Sequence, residues 1–224
     1  MCDSEEYRSE LSLNLFHPIL HLIKHLDELK PAPPSPVKTN VFENSYSCAV
    51  VVLSVIAFES AIRGYYAMKG SSKQTSAPKL FSQLTKDKKN GKTLAEHVNE
   101  IFVIRDVIVH NYIWKGKVRN DNVEGLVWEE GPKMANGFGR KRYEEAVADE
   151  SNQTKNLGLN VIPTKIWRQD AYIVLQTVCE ALVFMEQFPG GNIGFSSHHF
   201  KFRGQNLLIQ DIASSLIKKM PVKS

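Results

Sequence analysis

At 224 residues, with 42% hydrophobic and 23% charged residues, the chain is long enough for one well-filled domain and leaves little for a second. The formal charge of +4 and the pI of about 8.8 favour polyanionic partners only mildly, and many neutral enzymes have similar values. The three cysteines, Cys2, Cys48 and Cys179, are an odd number without metal-ligand spacing, which favours a reduced, cytoplasmic protein over a disulfide-bonded secreted one.

Neither the N-terminus nor the most apolar stretch of the chain predicts a membrane partner. Glu5 and Glu6 stand where a secretion signal would have a basic region followed by an apolar core. The best membrane candidate, residues 48–58, is too short to span a bilayer and is followed by Glu59. We therefore expect no membrane-spanning segment.

The first predicted helix covers residues 4–29, with a break or kink at Pro18. His17, His21 and His25 recur every four residues and so share one helical face, a geometry that can bind zinc. No Cys, Asp or Glu is placed to complete such a site, so the favoured interpretation is a solvated or interfacial histidine face without a metal. The segment PAPPSP at 31–36 cannot continue a helix and predicts a stiff extended link.

The second predicted helix, about residues 42–69, is rich in Val, Ile and Ala. Glu59 falls in its apolar stripe together with Ile56 and Arg63, where an unpaired carboxylate would be costly. The simpler interpretation is an ion pair with Arg63 one turn later. The alternative is that Glu59 is a buried partner that fixes the side chain of Arg105.

A polar break at 70–76, a short amphipathic piece near 80–84 and a lysine-rich turn at 86–92 lead into the third long helix. Thr93 with Glu96 three residues later predicts a capping box at its start. We expect the helix to end near Trp114.

This third helix is apolar on two faces. One stripe, Leu94, Val98, Ile101, Ile108 and Val109, includes the positions of Arg105 and Tyr112, and the other, Val103, Val107 and Trp114, includes that of His110. A helix that is apolar on two faces is buried on two sides. One face can meet its own bundle, so the other is expected to meet a second copy of the chain.

Residues from about 115 to 165 are the least regular part and predict an insertion. Short strands are expected around Val118, at 126–128 and at 157–162. Within the insertion, Arg140, Lys141 and Arg142 form a basic run next to an aromatic residue, and we take them as candidate RNA contacts on a loop.

A strongly periodic fourth long helix is predicted over residues 166–188, and a C-terminal arm over 189–224. The arm should contain a strand or hairpin at 195–202 and a last amphipathic helix at about 206–219. The whole chain, 1–224, is thus predicted to be a single mainly α-helical domain with one insertion.

The spacing of Arg105 and His110 constrains how they can act together. They are five residues apart and point about 140° away from each other on an ideal helix. Either the helix loosens near its end, or two symmetry-related helices pool their residues in a shared cleft. Asp106 lies four residues before His110, so its carboxylate can orient the imidazole.

The pattern Arg105-x4-His110-x-Tyr112, with Asp106 directly after the arginine near the end of a long apolar helix, resembles the signature of HEPN domains. The resemblance implies a four- to five-helix bundle, a homodimer and a metal-independent endoribonuclease without cofactors. The Arg-x4-His-x-Tyr version is most similar to toxins paired with a nucleotidyltransferase antitoxin, which implies that Tyr112 can be adenylylated. The same resemblance also implies a role as an antiviral defence effector.

The residue types suit this chemistry. RNA supplies its own 2'-hydroxyl nucleophile, so His110 is the candidate general base or acid and Arg105 the candidate clamp on the charged phosphate. The expected product is a 2',3'-cyclic phosphate with a 5'-hydroxyl. Asn111 is a candidate substrate contact, and Tyr112 either lines the cleft or belongs to the core with its hydroxyl at the edge.

The alternative interpretation is a non-catalytic helical module that dimerises and binds nucleotide or protein. In that case Arg105 and Asp106 make structural ion pairs at a helix interface, and His110 caps a carbonyl.

Overall fold

The structure, a computed structural model, describes residues 11–30, 39–71, 75–110, 115–118, 126–130, 140–148, 151–191 and 194–218. This part of the chain is mainly α-helical, as the sequence predicts. Its helices are α1 (Leu11–Asn14), α2 (Phe16–Glu28), α3 (Val41–Met68), α4 (Ala77–Thr85), α5 (Gly91–Val109), α6 (Arg140–Ala146), α7 (Arg168–Met185) and α8 (Ile209–Lys218). Its strands form antiparallel pairs: β1 (Lys115–Val118) with β2 (Leu126–Glu130), β3 (Val147–Ala148) with β4 (Gln153–Thr154), and β5 (His199–Phe202) with β6 (Gln205–Leu208).

The helix α3 is the central element of the bundle and packs against α2, α5 and α7. Phe58 on α3 contacts Phe81 on α4 and Phe102 on α5, with ring centroids 5.3 and 6.2 Å apart. Such aromatic pairs combine a large buried area with a preferred edge-to-face geometry. The buried residues of the bundle, the insertion and the C-terminal arm form one hydrophobic cluster.

Among the described residues, α3 is the one helix that is long and apolar enough to cross a membrane by length and composition. The helix is 28 residues long and extends beyond residues 48–58 on both sides. The prediction that this apolar region is too short to span a bilayer was therefore wrong. Half of its most apolar window is buried against the protein itself. A central core helix passes the same test, so its composition carries little weight as evidence for a membrane.

The N-terminal helices and α3 follow local sequence signals closely. The break in the first predicted helix falls at Leu15, and Pro18 lies in the first turn of α2, where an N–H is not needed for the helix. Asn40 caps α3, its Oδ1 accepting hydrogen bonds from the N–H groups of Phe42 and Glu43 at 3.0 and 3.4 Å.

The start of α5 differs from the predicted capping box at Thr93. The helix begins at Gly91, after Asn90 in a left-handed conformation with φ 63°. A Cβ at Gly91 would lie 2.0 Å from the carbonyl oxygen of Thr85. Close approach of α4 and α5, which only glycine permits, therefore sets the start of the helix.

The insertion is more helical than predicted. Residues 139–143 were expected as a basic loop, but residues from Arg140 onward form α6. Its C-terminal carbonyls, those of Glu144 and Glu145, accept hydrogen bonds from the Lys155 ammonium at 3.2 and 2.7 Å. A cation at this end of a helix is favourable.

The strand predicted at 157–162 is wrong, and two carboxylates explain why. Glu100 on α5 accepts hydrogen bonds from the N–H groups of Asn156 and Leu157, both at 2.9 Å. Asp170 on α7 accepts one from the Asn160 N–H at 3.1 Å. These backbone donors bind carboxylates, and the segment makes only an isolated bridge between Gln153 and Asn160.

The C-terminal arm is a hairpin followed by α8. Of the strand or hairpin predicted at 195–202, only residues 199–202 form a strand, β5, because 195–197 form a 3-10 turn. The last helix, α8, begins at Ile209 rather than near 206 because the preceding residues pair with β5 as β6. Arg203, at the turn of the hairpin with φ 49°, forms an ion pair with Asp27 on α2. The arm is thereby held against the N-terminal part of the bundle.

Candidate functional site

The candidate site lies on the last turns of α5, where it faces α3 and α6. Arg105 is its centre. Its guanidinium binds Glu59 on α3 at 3.2 Å and Asp106 at 3.0 Å. The same group lies over the ring of Phe102, 5.2 Å from its centroid. Two carboxylates and an aromatic face therefore fix the orientation of this arginine.

Glu59 has both of the partners that the sequence offered as alternatives. Its Oε1 accepts hydrogen bonds from Nε and Nη2 of Arg63 at 2.9 and 2.8 Å. Its Oε2 accepts one from Arg105. The carboxylate thus bridges a local partner on its own helix and a distant partner on α5.

Asp106 forms a second bridge of the same kind. Its Oδ1 binds Arg105, and its Oδ2 accepts a hydrogen bond from Arg142 on α6 at 3.0 Å. Its side chain is 14% exposed and that of Arg142 is 23% exposed. The result is an alternating row, Arg63, Glu59, Arg105, Asp106 and Arg142, with one positive charge in excess.

His110 stands at the C-terminal end of α5. Its N–H donates to the carbonyl oxygen of Asp106 at 2.9 Å, and its backbone, with φ −90° and ψ 1°, ends the helix. The residue is exposed. This backbone bond links it to Asp106, whereas an orienting contact from the Asp106 carboxylate stays a prediction.

Arg105 and His110 therefore lie on different sides of one chain. The helix stays regular from Gly91 to Val109, so the separation of about 140° around its axis persists. The helix does not loosen between Arg105 and Val109. The second of the two arrangements, a cleft between two chains, stays a prediction.

Apolar side chains at the surface flank this row of charges. Val109 on α5 is 52% exposed, and Ile56 on α3, one turn before Glu59, is 39% exposed. The rest of the predicted stripes is mainly core: Leu94, Val98, Ile101, Val103 and Val107 are buried.

Several other predicted site residues have a limited description. Asn111 and Tyr112 lie outside the described residues, and only the backbone of Arg140 is described. Lys141 has a side chain that is 90% exposed and lies 3.8 Å from Glu145. The neighbouring residues of the basic run therefore have different environments. Lys141 faces solvent, whereas Arg142 binds Asp106.

The sequence does not predict the contact between Arg142 and Asp106. The residues are 36 positions apart, and no periodicity links an insertion to the helix before it. The sequence shows the charge of Arg142, but the packing of α6 on α5 places it beside Arg105.

An open cleft of about 430 Å³ lies at the other end of α5, between its first turns and the last turns of α7. Asn90, Thr93, His97 and Glu180 are among its lining residues. Within the described residues, no group of three or more His, Cys, Asp or Glu side chains is placed to hold a metal ion. The zinc site of three histidines considered from the sequence is accordingly not assembled there.

No family model, curated protein or solved structure matches the chain. The resemblance to HEPN domains therefore depends on the Arg105-x4-His110-x-Tyr112 motif, which begins in α5, and on its helical setting alone.

Proposed function

We propose that the protein is a metal-independent endoribonuclease of the HEPN type. The observation that carries the proposal is the arrangement at the end of α5: an arginine oriented by two carboxylates and an aromatic ring, followed within five residues by an exposed histidine. These are the two groups that phosphodiester cleavage by a 2'-hydroxyl needs.

In the proposed reaction His110 removes the proton from the 2'-hydroxyl, whose oxygen attacks the adjacent phosphorus. The P–O5' bond breaks, and the 5'-oxygen leaves with a proton from an acid or from water. Arg105 binds the non-bridging oxygens as charge grows on them, which a forked, permanently charged guanidinium does well. The products are a 2',3'-cyclic phosphate and a 5'-hydroxyl.

A homodimer is part of this proposal because one chain directs Arg105 and His110 to different sides. A twofold axis near the end of α5 would bring Arg105 of one chain toward His110 of the other. The exposed apolar side chains of Val109 and Ile56 are suitable for burial in such an interface.

By the same resemblance, we propose a role in a toxin-antitoxin pair or in antiviral defence. A nucleotidyltransferase partner would silence the enzyme by transferring AMP to the hydroxyl of Tyr112. The test is intact-mass analysis after incubation with ATP and a candidate partner, with Tyr112→Phe as the control that must remain unmodified.

The deciding experiment is RNA cleavage in the presence of EDTA, followed by analysis of the end groups. His110→Ala is expected to lower the rate about 100- to 10,000-fold, and Arg105→Ala at least about 100-fold. His97→Ala is the matched control, because His97 lies on the same helix near its other end. Cleavage that persists in both motif variants, or that stops with chelator, contradicts the proposal.

A second candidate function has its own support. Arg105 already binds Glu59 and Asp106, as a purely structural arginine in a dimerising, nucleotide- or protein-binding module would. This function predicts no RNA turnover and saturable nucleotide binding that is lost in Arg105→Ala. Cyclic-phosphate ends that depend on His110 would exclude it.

A further inference from the structure

Two histidines of α2 approach each other closely on the surface of the bundle. The Nε2 atoms of His21 and His25 are 3.2 Å apart, and their rings are perpendicular with centroids 4.7 Å apart. His21 is exposed and the side chain of His25 is 39% exposed. The two Nε2 atoms thus lie within hydrogen-bond distance of each other, on side chains that are at least partly exposed.

The distance suits two ligands of one metal ion. Imidazole nitrogens lie about 2.0–2.1 Å from Zn²⁺, so two of them at a tetrahedral angle are about 3.3–3.4 Å apart. Residues four apart on a helix, as His21 and His25 are, share a face and can chelate one ion. The rings, which are perpendicular with centroids 4.7 Å apart, rotate about their side-chain bonds to direct both Nε2 atoms at the ion.

His25 is also held in the orientation that a metal ligand requires. Its Nδ1 lies 3.3 Å from Oε2 of Glu28, so a hydrogen bond from Nδ1–H to this carboxylate leaves Nε2, which lies beside His21, available as a ligand. Its ring is stacked on Tyr46 of α3, with centroids 5.5 Å apart and planes 17° apart. A carboxylate behind a ligating histidine is a common outer shell of metal sites.

The third histidine of the face belongs to a different contact. The rings of His17 and Phe200 on β5 are in an edge-to-face arrangement with centroids 5.3 Å apart, and the His198 ring centroid lies 4.6 Å from that of Phe200. The structure therefore divides the histidine face into a convergent pair and a residue that packs against the C-terminal hairpin.

We propose that His21 and His25 form a binding site for a divalent transition-metal ion of the Zn²⁺ class. Nε2 of each histidine is a ligand, Glu28 and Tyr46 orient His25, and water occupies the remaining positions. Neutral imidazole suits this class of ion, whereas Mg²⁺ and Ca²⁺ prefer oxygen ligands. The site lies on α2, and the proposal does not depend on the function of α5.

The test is titration of the full chain with Zn²⁺, followed by calorimetry and by NMR of the histidine side chains. A Cys2→Ser background removes the N-terminal thiol, which would compete for the ion. We expect one ion per chain, with shifts of Nε2 in His21 and His25 but not in His17. These shifts are read in the protein with all its histidines and need no folding control.

The variants provide the second arm. His21→Ala and His25→Ala are each expected to weaken binding at least tenfold, and Glu28→Gln roughly tenfold. His17→Ala, from the same face, and His198→Ala should bind as the parent does, with circular dichroism to check folding. Equal loss in His17→Ala, unchanged affinity in His21→Ala, or no saturable binding up to millimolar Zn²⁺ would overturn the proposal.

Discussion

Glu59 on α3 and Arg105 on α5, 46 positions apart in sequence, are joined by an ion pair of 3.2 Å in which neither side chain is more than 25% exposed. Glu59 binds Arg63 as well, but that arginine is 48% exposed. One carboxylate therefore takes part in a partly buried tertiary pair and in an exposed pair within a single helix. Solvent screening should make these two pairs unequal.

The first prediction concerns the strengths of these two pairs. Double-mutant cycles with Glu59→Gln should give a coupling free energy of about 0.3–0.5 kcal/mol with Arg63→Gln, as for exposed helix pairs. With Arg105→Gln the coupling should exceed about 1 kcal/mol, because the pair is shielded from water. The measurement is the free energy of unfolding in urea. An Arg63 coupling equal to or larger than that of Arg105 would contradict the prediction.

The two ion pairs also show which contacts of the site can be predicted from the sequence. The spacing of Glu59 and Arg63 by one helical turn made their contact predictable, and an apolar stripe identified Glu59 and Arg105 as charges that need partners. The partner of Asp106 on α6 was not predictable, since helix packing brings Arg142 there. The predicted four long helices are present with small shifts of their ends.

The two wrong predictions, the strand at 157–162 and the capping box at Thr93, have a common physical origin. Residues 157–162 have the composition of a strand, but Glu100 and Asp170 bind their backbone donors from outside the segment. The start of α5 was assigned to a good capping sequence, but the approach of Thr85 to Gly91 decides it. In both cases a tertiary contact overrides a correct local preference.

The second prediction concerns Glu100, a carboxylate that joins α5 to the insertion. It is 1% exposed and accepts hydrogen bonds from the backbone N–H and the side-chain amide of Asn156 and from the Leu157 N–H. Glu100→Gln turns an amide NH2 toward one of these donors and should lower the free energy of unfolding by about 3 kcal/mol. Glu96→Gln, an exposed change on the same helix, should alter it by less than about 0.5 kcal/mol.

Chemical denaturation of both variants is the measurement. Hydrogen exchange should also become faster around residues 154–159 in Glu100→Gln, because that segment loses its anchor on α5. Equal stability of the two variants would show that this carboxylate does not hold the insertion in place.

The third prediction separates the two described side chains of the basic run. In a His110→Ala background, where RNA is bound but not cut, Lys141→Ala should reduce the salt dependence of binding by about one phosphate contact. Arg142→Ala should weaken binding further, because the change also releases Asp106 beside Arg105. Lys92, 89% exposed near the start of α5, provides the control. If Lys92→Ala and Lys141→Ala reduce the salt dependence equally, the RNA path does not follow α6.

The fourth prediction is a loss of stability at alkaline pH. Burial raises the pKa of the Cys48 thiol from about 9.0 to about 12, and the nearby Asp170 carboxylate contributes to the increase. Between these values the folded chain holds a proton that the unfolded chain releases, so the free energy of unfolding falls as pH rises. Below pH 9 the contribution of this thiol is fully present.

Each unit of difference between the folded and unfolded pKa is worth about 1.4 kcal/mol, so about 2 kcal/mol should be lost through this thiol between pH 8.5 and 10.5. Cys48→Ala should make the decline shallower, as measured by urea denaturation at several pH values. Burial also raises the pKa of the Cys179 thiol and of Tyr143 and Tyr172, so some decline should remain. An identical pH dependence in parent and variant would contradict this assignment.

The fifth prediction tests whether one active site draws on two chains. Arg105→Ala and His110→Ala are each expected to be inactive as homodimers. In a mixed dimer, the chain with Arg105→Ala still supplies His110, and the chain with His110→Ala still supplies Arg105. One of the two composite sites is then intact, so an equal mixture after subunit exchange should recover about a quarter of the parent activity.

The readout is the rate of formation of cyclic-phosphate ends after the two variants are unfolded and refolded together. A mixture of the Arg105→Ala variant with a doubly substituted chain, Arg105→Ala with His110→Ala, is the matched control and should stay inactive. Val109→Glu, placed at the exposed end of α5, should abolish both dimer formation in light scattering and the recovery. A mixture of dimers that forms normally but stays inactive would mean that each site takes Arg105 and His110 from the same chain, against the regular geometry of α5.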